Sequence, residues 1–322
     1  MKIKTEDFKP ISNDHVLKKM WDTEYGLGFK NLISNYVKTI YNKKELNKLI
    51  GKLFLKHNKL DIQQKNQYIH SASEITVVNY FATNFPEFFV LEPKLTGHNN
   101  NDVECQFQFN GLTFNIEVKS NSYILDNKKT DSNFHLQIEG RLSEYMELFE
   151  SIKTILPNTD LEKRFDNSFK SHLHSAQSKF PKADNNNNCN ILILACNDSE
   201  DLQNHYNYLF AASGFFTSNS FVNHLEYNLV DIVFLTNLFF KHNYDTENPK
   251  LDEQSWQFEK SFIIGYRNPF RKDLKNEHLN MIEAIVPNYT QNFKEYSGGP
   301  EFIRLRHFIH TELGMNRKIY HY

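Results

Sequence analysis

Cysteine is scarce. Cys105, Cys189 and Cys196 form no close metal-ligand pair, and an odd number gives no disulfide framework. Glycine is scarce as well, at 11 of 322 residues, while Asn, Lys, Phe and Tyr abound, which reads as a coding bias rather than a mechanism. No run is long and apolar enough to span a bilayer, and the opening MKIKTEDFKP lacks the apolar stretch of a signal peptide. A cytoplasmic location with no membrane partner is therefore expected. HExxH, CxxC, P-loop, helix-turn-helix and internal repeats are all missing. Neither charge sign dominates, since the net charge is −2, so the whole molecule is no polycation.

What charge there is lies unevenly. Residues 1–66 hold 14 lysines and 7 acids, whereas the other 256 residues hold 23 basic and 32 acidic side chains. A basic N-terminal region beside an acidic centre suits phosphate contacts flanking a metal-binding cleft, although solvated helix faces give the same count. The length allows one elaborated domain or two, and plentiful apolar residues argue against global disorder.

The most informative stretch runs from 99 to 120, NNNDVECQFQFNGLTFNIEVKS. Asn110-Gly111 is a hairpin turn signal, because both residues tolerate positive φ. With a two-residue loop, Phe109 pairs with Leu112, Phe107 with Phe114, Cys105 with Ile116 and Val103 with Val118, giving one apolar face. The other face sets Glu104 opposite Glu117 and Asp102 opposite Lys119. Like charges directly opposite destabilise a sheet, and a hard divalent cation would relieve them. A solvated outer face with an Asp102–Lys119 ion pair is the alternative.

An acid on one strand followed by Glu117-Val118-Lys119 on the next resembles the PD-(D/E)XK nuclease superfamily. Five [DE]-X-K strings occur, beginning at Asp7, Glu92, Glu117, Asp126 and Asp273, and only that of Glu117 lies in an alternating strand beside a carboxylate-bearing one. The resemblance implies an α/β fold: a restriction-endonuclease-like αβββαβ core with a mixed central sheet flanked by helices. A helical N-terminal region and a C-terminal extension complete it. The expected division is 1–66, basic and helical; 67–240, the nuclease-like core with an insertion at 121–158; and 241–322, an extension packed on the core.

Local patterns fill in that order. Apolar residues recur at helical intervals over 13–66, and a helix is expected over about 67–84, with Glu74 among core-facing residues. A short strand at 88–91 precedes the hairpin. Asp160 is expected to cap a helix running to about Lys179, and residues 190–196 read as a strand buried on both faces. A further buried strand is expected at 230–235 and another near 261–266. Residues 264–322 carry 9 Lys/Arg against 6 acids.

By resemblance, Asp102 and Glu117 ligate Mg2+ or Mn2+ with the carbonyl of Val118, and Glu104 stands in reserve for Asp102. Lys119 orients the attacking water, Glu74 reaches the site from the preceding helix, and Gln177 or Lys179 points at it from the following one. Lys179, Lys170 and Arg164 contact backbone phosphate. Glu117 and Lys119 share a face because strand side chains alternate. The expected partner is DNA, with RNA open. By analogy alone, a role in antiviral defence or restriction follows, as a homodimer or as a partner subunit of a defence system. A catalytically silent module of the same fold, binding nucleic acid or a partner protein, is the rival.

Overall fold

The computed structural model describes residues 15–39, 43–53, 62–95, 103–121, 134–138, 145–157, 159–163, 165–181, 187–244, 251–271 and 276–312. In chain order, four helices come first: α1 (Val16–Lys19), α2 (Glu24–Thr39), α3 (Lys43–Gly51) and α4 (Ile62–Asn84). Strands β1 (Val90–Leu91), β2 (Cys105–Phe109) and β3 (Leu112–Ser120) follow, then β4 (Phe134–Ile138), α5 (Tyr145–Ile155) and β5 (Thr159–Lys163). The chain continues through α6 (Phe165–Lys179), β6 (Asn188–Ala195), α7 (Ser199–Phe210), β7 (Ile232–Thr236) and α8 (Leu238–His242). It ends with β8 (Ile263–Arg267), α9 (Asn276–Ile285), α10 (Thr290–Glu295) and α11 (Arg304–Thr311).

Six strands form a mixed open sheet in the order β1-β2-β3-β6-β7-β8. β1, β2 and β3 are an antiparallel meander, β3, β6 and β7 run parallel, and β8 closes the sheet antiparallel. Asn110 at φ 50° and Gly111 at φ 78° make the predicted turn, and the register is the expected one from Phe109↔Leu112 to Cys105↔Ile116. The parallel interior strands are buried on both faces, as their unbroken apolar sequence requires.

Helices cover both faces of the sheet. One core joins α2 and α4 to Cys105, Phe107, Phe114, Ile116 and Val118. The other joins α6, α7 and α11 to Leu192, Leu194, Val233 and Leu235. The first is keyed by stacked rings: Phe81 of α4 lies 5.1 Å from Phe107, which lies 5.0 Å from Phe114. Glu74 stands seven residues, two turns, before Phe81, so the contact that seats α4 also turns Glu74 towards the strands. Residues 71–78 are all buried. A charge there must find partners.

Several expectations are corrected. Val103 does not join the Cys105 face; it packs with Phe169 and Leu173 in the other core. The chain bends at Glu104, whose N–H still reaches the Ile116 carbonyl at 2.9 Å, and regular pairing stops there. The helix expected from Asp160 is instead a strand, β5, pairing in parallel with β4 in a separate two-stranded sheet, and α6 starts only at Phe165. The expected boundary at 66/67 falls inside α4, and that at 240/241 inside α8. Residues beyond 241 supply a strand of the central sheet, β8, rather than an extension laid upon it.

Candidate active site

Glu117 and Lys119 project from the carboxyl end of β3. Glu117 is fully buried, and its Oε1 takes both the Lys119 ammonium at 2.7 Å and the Lys179 ammonium at 2.6 Å. Lys179 is in the last turn of α6, next to the buried anchors Ala176 and Phe180, which fix its position. Glu117 Oε2 is buried and has no hydrogen-bond partner among the described residues. Burial works to lower the Lys119 ammonium, but Glu117, then Glu104 and Glu74, hold it raised.

A second group of acids sits beside the first. Glu104 takes the register position opposite Glu117, one residue beyond the Cys105↔Ile116 pair. Lys52, just past the end of α3, extends its ammonium to Glu92 Oε1 at 2.8 Å, Glu74 Oε2 at 3.1 Å and Glu104 Oε2 at 3.3 Å. Lys48 pairs with the other Glu92 oxygen. His70, one turn before Glu74, pairs its Nε2 with Glu74 Oε1 at 2.9 Å and its Nδ1 with the Ser120 hydroxyl at 2.9 Å.

These neighbours divide the two carboxyls. Burial pushes Glu74 up, but His70 and Lys52 together outweigh it and hold the group down at about 2. Burial also pushes Glu104 up, and Glu74 and Glu117 add to this beyond what Lys52 offsets, to about 8. Interacting acids driven apart in this way make the cluster a candidate site. Lys52 itself is raised: burial opposes its charge, while Glu104, Glu74 and Glu92 favour it.

The structure thus brings together Glu74, Glu104, Glu117, Lys119 and Lys179. Asp102 and Arg164 lie outside the described residues. Gln177 is corrected: it faces away, donating to the Leu225 carbonyl at 3.0 Å and Asn228 Oδ1 at 2.9 Å and accepting the Leu229 N–H at 2.7 Å. It fastens the 225–229 loop to α6. Lys170 is partly exposed on the same helix, and the Val118 side chain is in the apolar core. Lys179, the other candidate on that helix, bonds Glu117.

Lys52, Glu92, His70 and Ser120 were not anticipated. Two signals existed: Glu92 opens a [DE]-X-K string of its own, and His70 and Glu74 are spaced i,i+4. Among the described residues, no group of three or more His, Cys, Asp and Glu side chains is arranged to hold a metal ion, and no helix is long and apolar enough to cross a membrane. The chain matches no protein-family model, no curated protein and no solved structure.

Proposed function

We propose that the chain is a metal-dependent nuclease that hydrolyses phosphodiester bonds of DNA with a PD-(D/E)XK-type site. The observation that carries this reading is the meeting of Glu74, Glu104, Glu117 and Lys119, drawn from α4, the approach to β2, and β3. They meet at the carboxyl end of β3, which runs parallel to β6; open α/β sheets bind ligands at such ends. The order α4-β1-β2-β3-α6-β6, with β4, α5 and β5 inserted, follows the αβββαβ order of the restriction-endonuclease-like core.

In its chemistry, the donor set suits a hard divalent cation such as Mg2+ or Mn2+. It is made of carboxylate oxygens, and Glu117 Oε2 is a buried acceptor with no hydrogen-bond partner among the described residues. Glu104 and Glu117 would hold it. The chemistry such an ion supplies is polarisation of a phosphoryl oxygen and acidification of bound water. Lys119, kept protonated by the acids around it, donates to a phosphoryl oxygen where negative charge builds. Lys179 fixes the Glu117 carboxylate from the α6 side, and the Ser120–His70–Glu74 chain orients Glu74.

The test is cleavage of supercoiled plasmid, linear duplex and single strands with Mg2+ or Mn2+, beside an EDTA control. Lys119→Ala should lower the rate by roughly a hundredfold or more, the scale for removing one charge-stabilising donor. Its fold and DNA binding should be retained. Unchanged cleavage would sink the assignment. A second reading, a silent module that binds nucleic acid, draws on one observation: Glu74, Glu104 and Glu117 are all already held by lysines of the chain itself. Tight metal-independent binding with no cutting would favour it.

A further inference from the structure

The Lys52 ammonium occupies the place where a cation would be expected. Its three carboxylates come from three separate segments: Glu74 from the middle of α4, Glu92 from the turn after β1, and Glu104 from the bend before β2. Lys52 does not gather them. The Glu92 N–H is bonded to the Glu104 carbonyl at 3.1 Å, and Phe81 seats α4. Glu92 is also held at φ 47°, a conformation that non-glycine residues adopt at a cost and that concentrates at functional positions. The carboxylates are placed by the backbone, and the ammonium fills the gap.

Charge and distance then set a constraint. Glu74, Glu92, Glu104 and Glu117 face Lys48, Lys52, Lys119 and Lys179, so the acids do not outnumber the ammoniums. A divalent ion added to such a set would leave excess positive charge in a buried place, which favours release of a resident cation. Lys119 and Lys179 are the more enclosed, with side chains 19% and 11% exposed, and both bind Glu117. Lys48 is more open still, at 59%, but holds only Glu92 among the described residues, whereas Lys52, 30% exposed on a flexible stem, bridges three carboxylates and can carry its head into water. The Lys52 contacts of 2.8–3.3 Å also exceed the roughly 2.0–2.6 Å of metal–oxygen bonds. Glu117, whose Oε2 is buried with no hydrogen-bond partner among the described residues, stands opposite Glu104 in the register.

We propose that Lys52 is an exchangeable internal cation: its ammonium and a divalent metal ion compete for Glu104, the carboxylate shared by the Lys52 cluster and the Glu104–Glu117 pair, so the site loads metal only as Lys52 swings out. This deepens the metal-dependent reading of the same site and supplies its regulation. Any contact that draws Lys52 outward, such as a phosphate of bound nucleic acid, would promote loading, and the coupling is reciprocal.

The experiment follows Mn2+ by the loss of its free-ion paramagnetic resonance signal, in the full-length wild type and in Lys52→Met and Lys52→Gln. Both variants should bind Mn2+ on the order of tenfold more tightly than wild type, and Glu104→Gln added to either should reverse the gain. In the wild type, acetylation of Lys52 mapped by mass spectrometry should increase when Mn2+ is added, a readout that needs no variant to fold. Equal Mn2+ affinity in wild type and variants, or Lys52 labelling indifferent to Mn2+, overturns the exchange even if DNA is cut. Competition observed without cleavage of any substrate would sink the nuclease and leave the exchange standing.

Discussion

Helix α4 carries buried polar groups on two opposite sides, and they are built differently. On one side, Tyr68 and Thr76 join Tyr25 of α2 and His242 of α8. Thr76 gives its hydroxyl proton to the Ala72 carbonyl, so it accepts from His242 Nε2–H at 3.0 Å. His242 Nδ1 then accepts from Tyr25, and Tyr25 accepts from Tyr68, each at 3.0 Å. Every donor has one acceptor and nothing is charged; burial lowers His242 well below the usual histidine range. On the other side, His70 and Glu74 open onto acids that repel one another, a buried oxygen with no partner, and lysines bridging between carboxylates. A satisfied neutral network fixes a fold, whereas a charged cluster held under mutual repulsion is what a site requires.

The largest expected effect tests that division on stability. His242→Ala removes the centre of the closed network, opens a cavity and strands two hydroxyls, and should cost about 3–5 kcal/mol in denaturant unfolding. Glu104→Gln should act in the opposite direction. It keeps the shape, removes the repulsion with Glu74 and Glu117, and should raise stability by about 1 kcal/mol while lowering activity. If both lose stability equally, the two sides of α4 are one structural unit and the comparison fails.

Acid and base sharpen it with opposite signs. His242, and His205, which burial brings to about 4, are neutral in the fold and bind protons more readily when unfolded. Their contribution is complete above pH 6.5 and is lost as pH falls below it, by roughly 1.4 kcal/mol per pH unit for each. Glu104, raised from 4.5 to about 8, binds its proton more readily in the fold, so stability falls as pH rises through that window. Stability measured in EDTA should therefore decline on both sides of a maximum near pH 6. Glu104→Gln should shrink the alkaline decline, which Asp201, pushed up to about 8 by burial and Asp198, also feeds, and leave the acid one.

How far this contrast was legible beforehand follows from the range of each interaction. The Asn110-Gly111 turn and alternating strands are local, and they carried the hairpin, its register, and the shared face of Glu117 and Lys119. The apolar runs at 190–196 and 230–235 announced the parallel interior strands. What failed was local pattern overruled by tertiary pairing: 159–163 reads as the start of a helix but finds a partner strand in β4. Lys52 and Glu92 were hidden for the same reason, since 40 residues separate them and only packing of the N-terminal helices brings them together. The closed network was equally invisible, because Tyr25 and His242 are 217 residues apart. Alternation placed Val103 wrongly because it cannot anticipate the bend at Glu104.

The smallest effect is the finest test, because it separates two polar residues of one helix. Gln177 and Lys179 stand two apart on α6, which points them in different directions. Gln177 spends both ends of its amide on the 225–229 loop, whereas Lys179 reaches Glu117. Gln177→Ala should cost about 1 kcal/mol of stability through its lost hydrogen bonds and leave cleavage unchanged. Lys179→Met should leave Glu117 with Lys119 as its remaining ammonium partner, lowering cleavage and tightening Mn2+ binding as a competing cation is withdrawn. Measured together by unfolding and Mn2+ titration, the pair places the border between scaffold and site within a single turn of α6. A cleavage defect in Gln177→Ala would move that border outward to the loop.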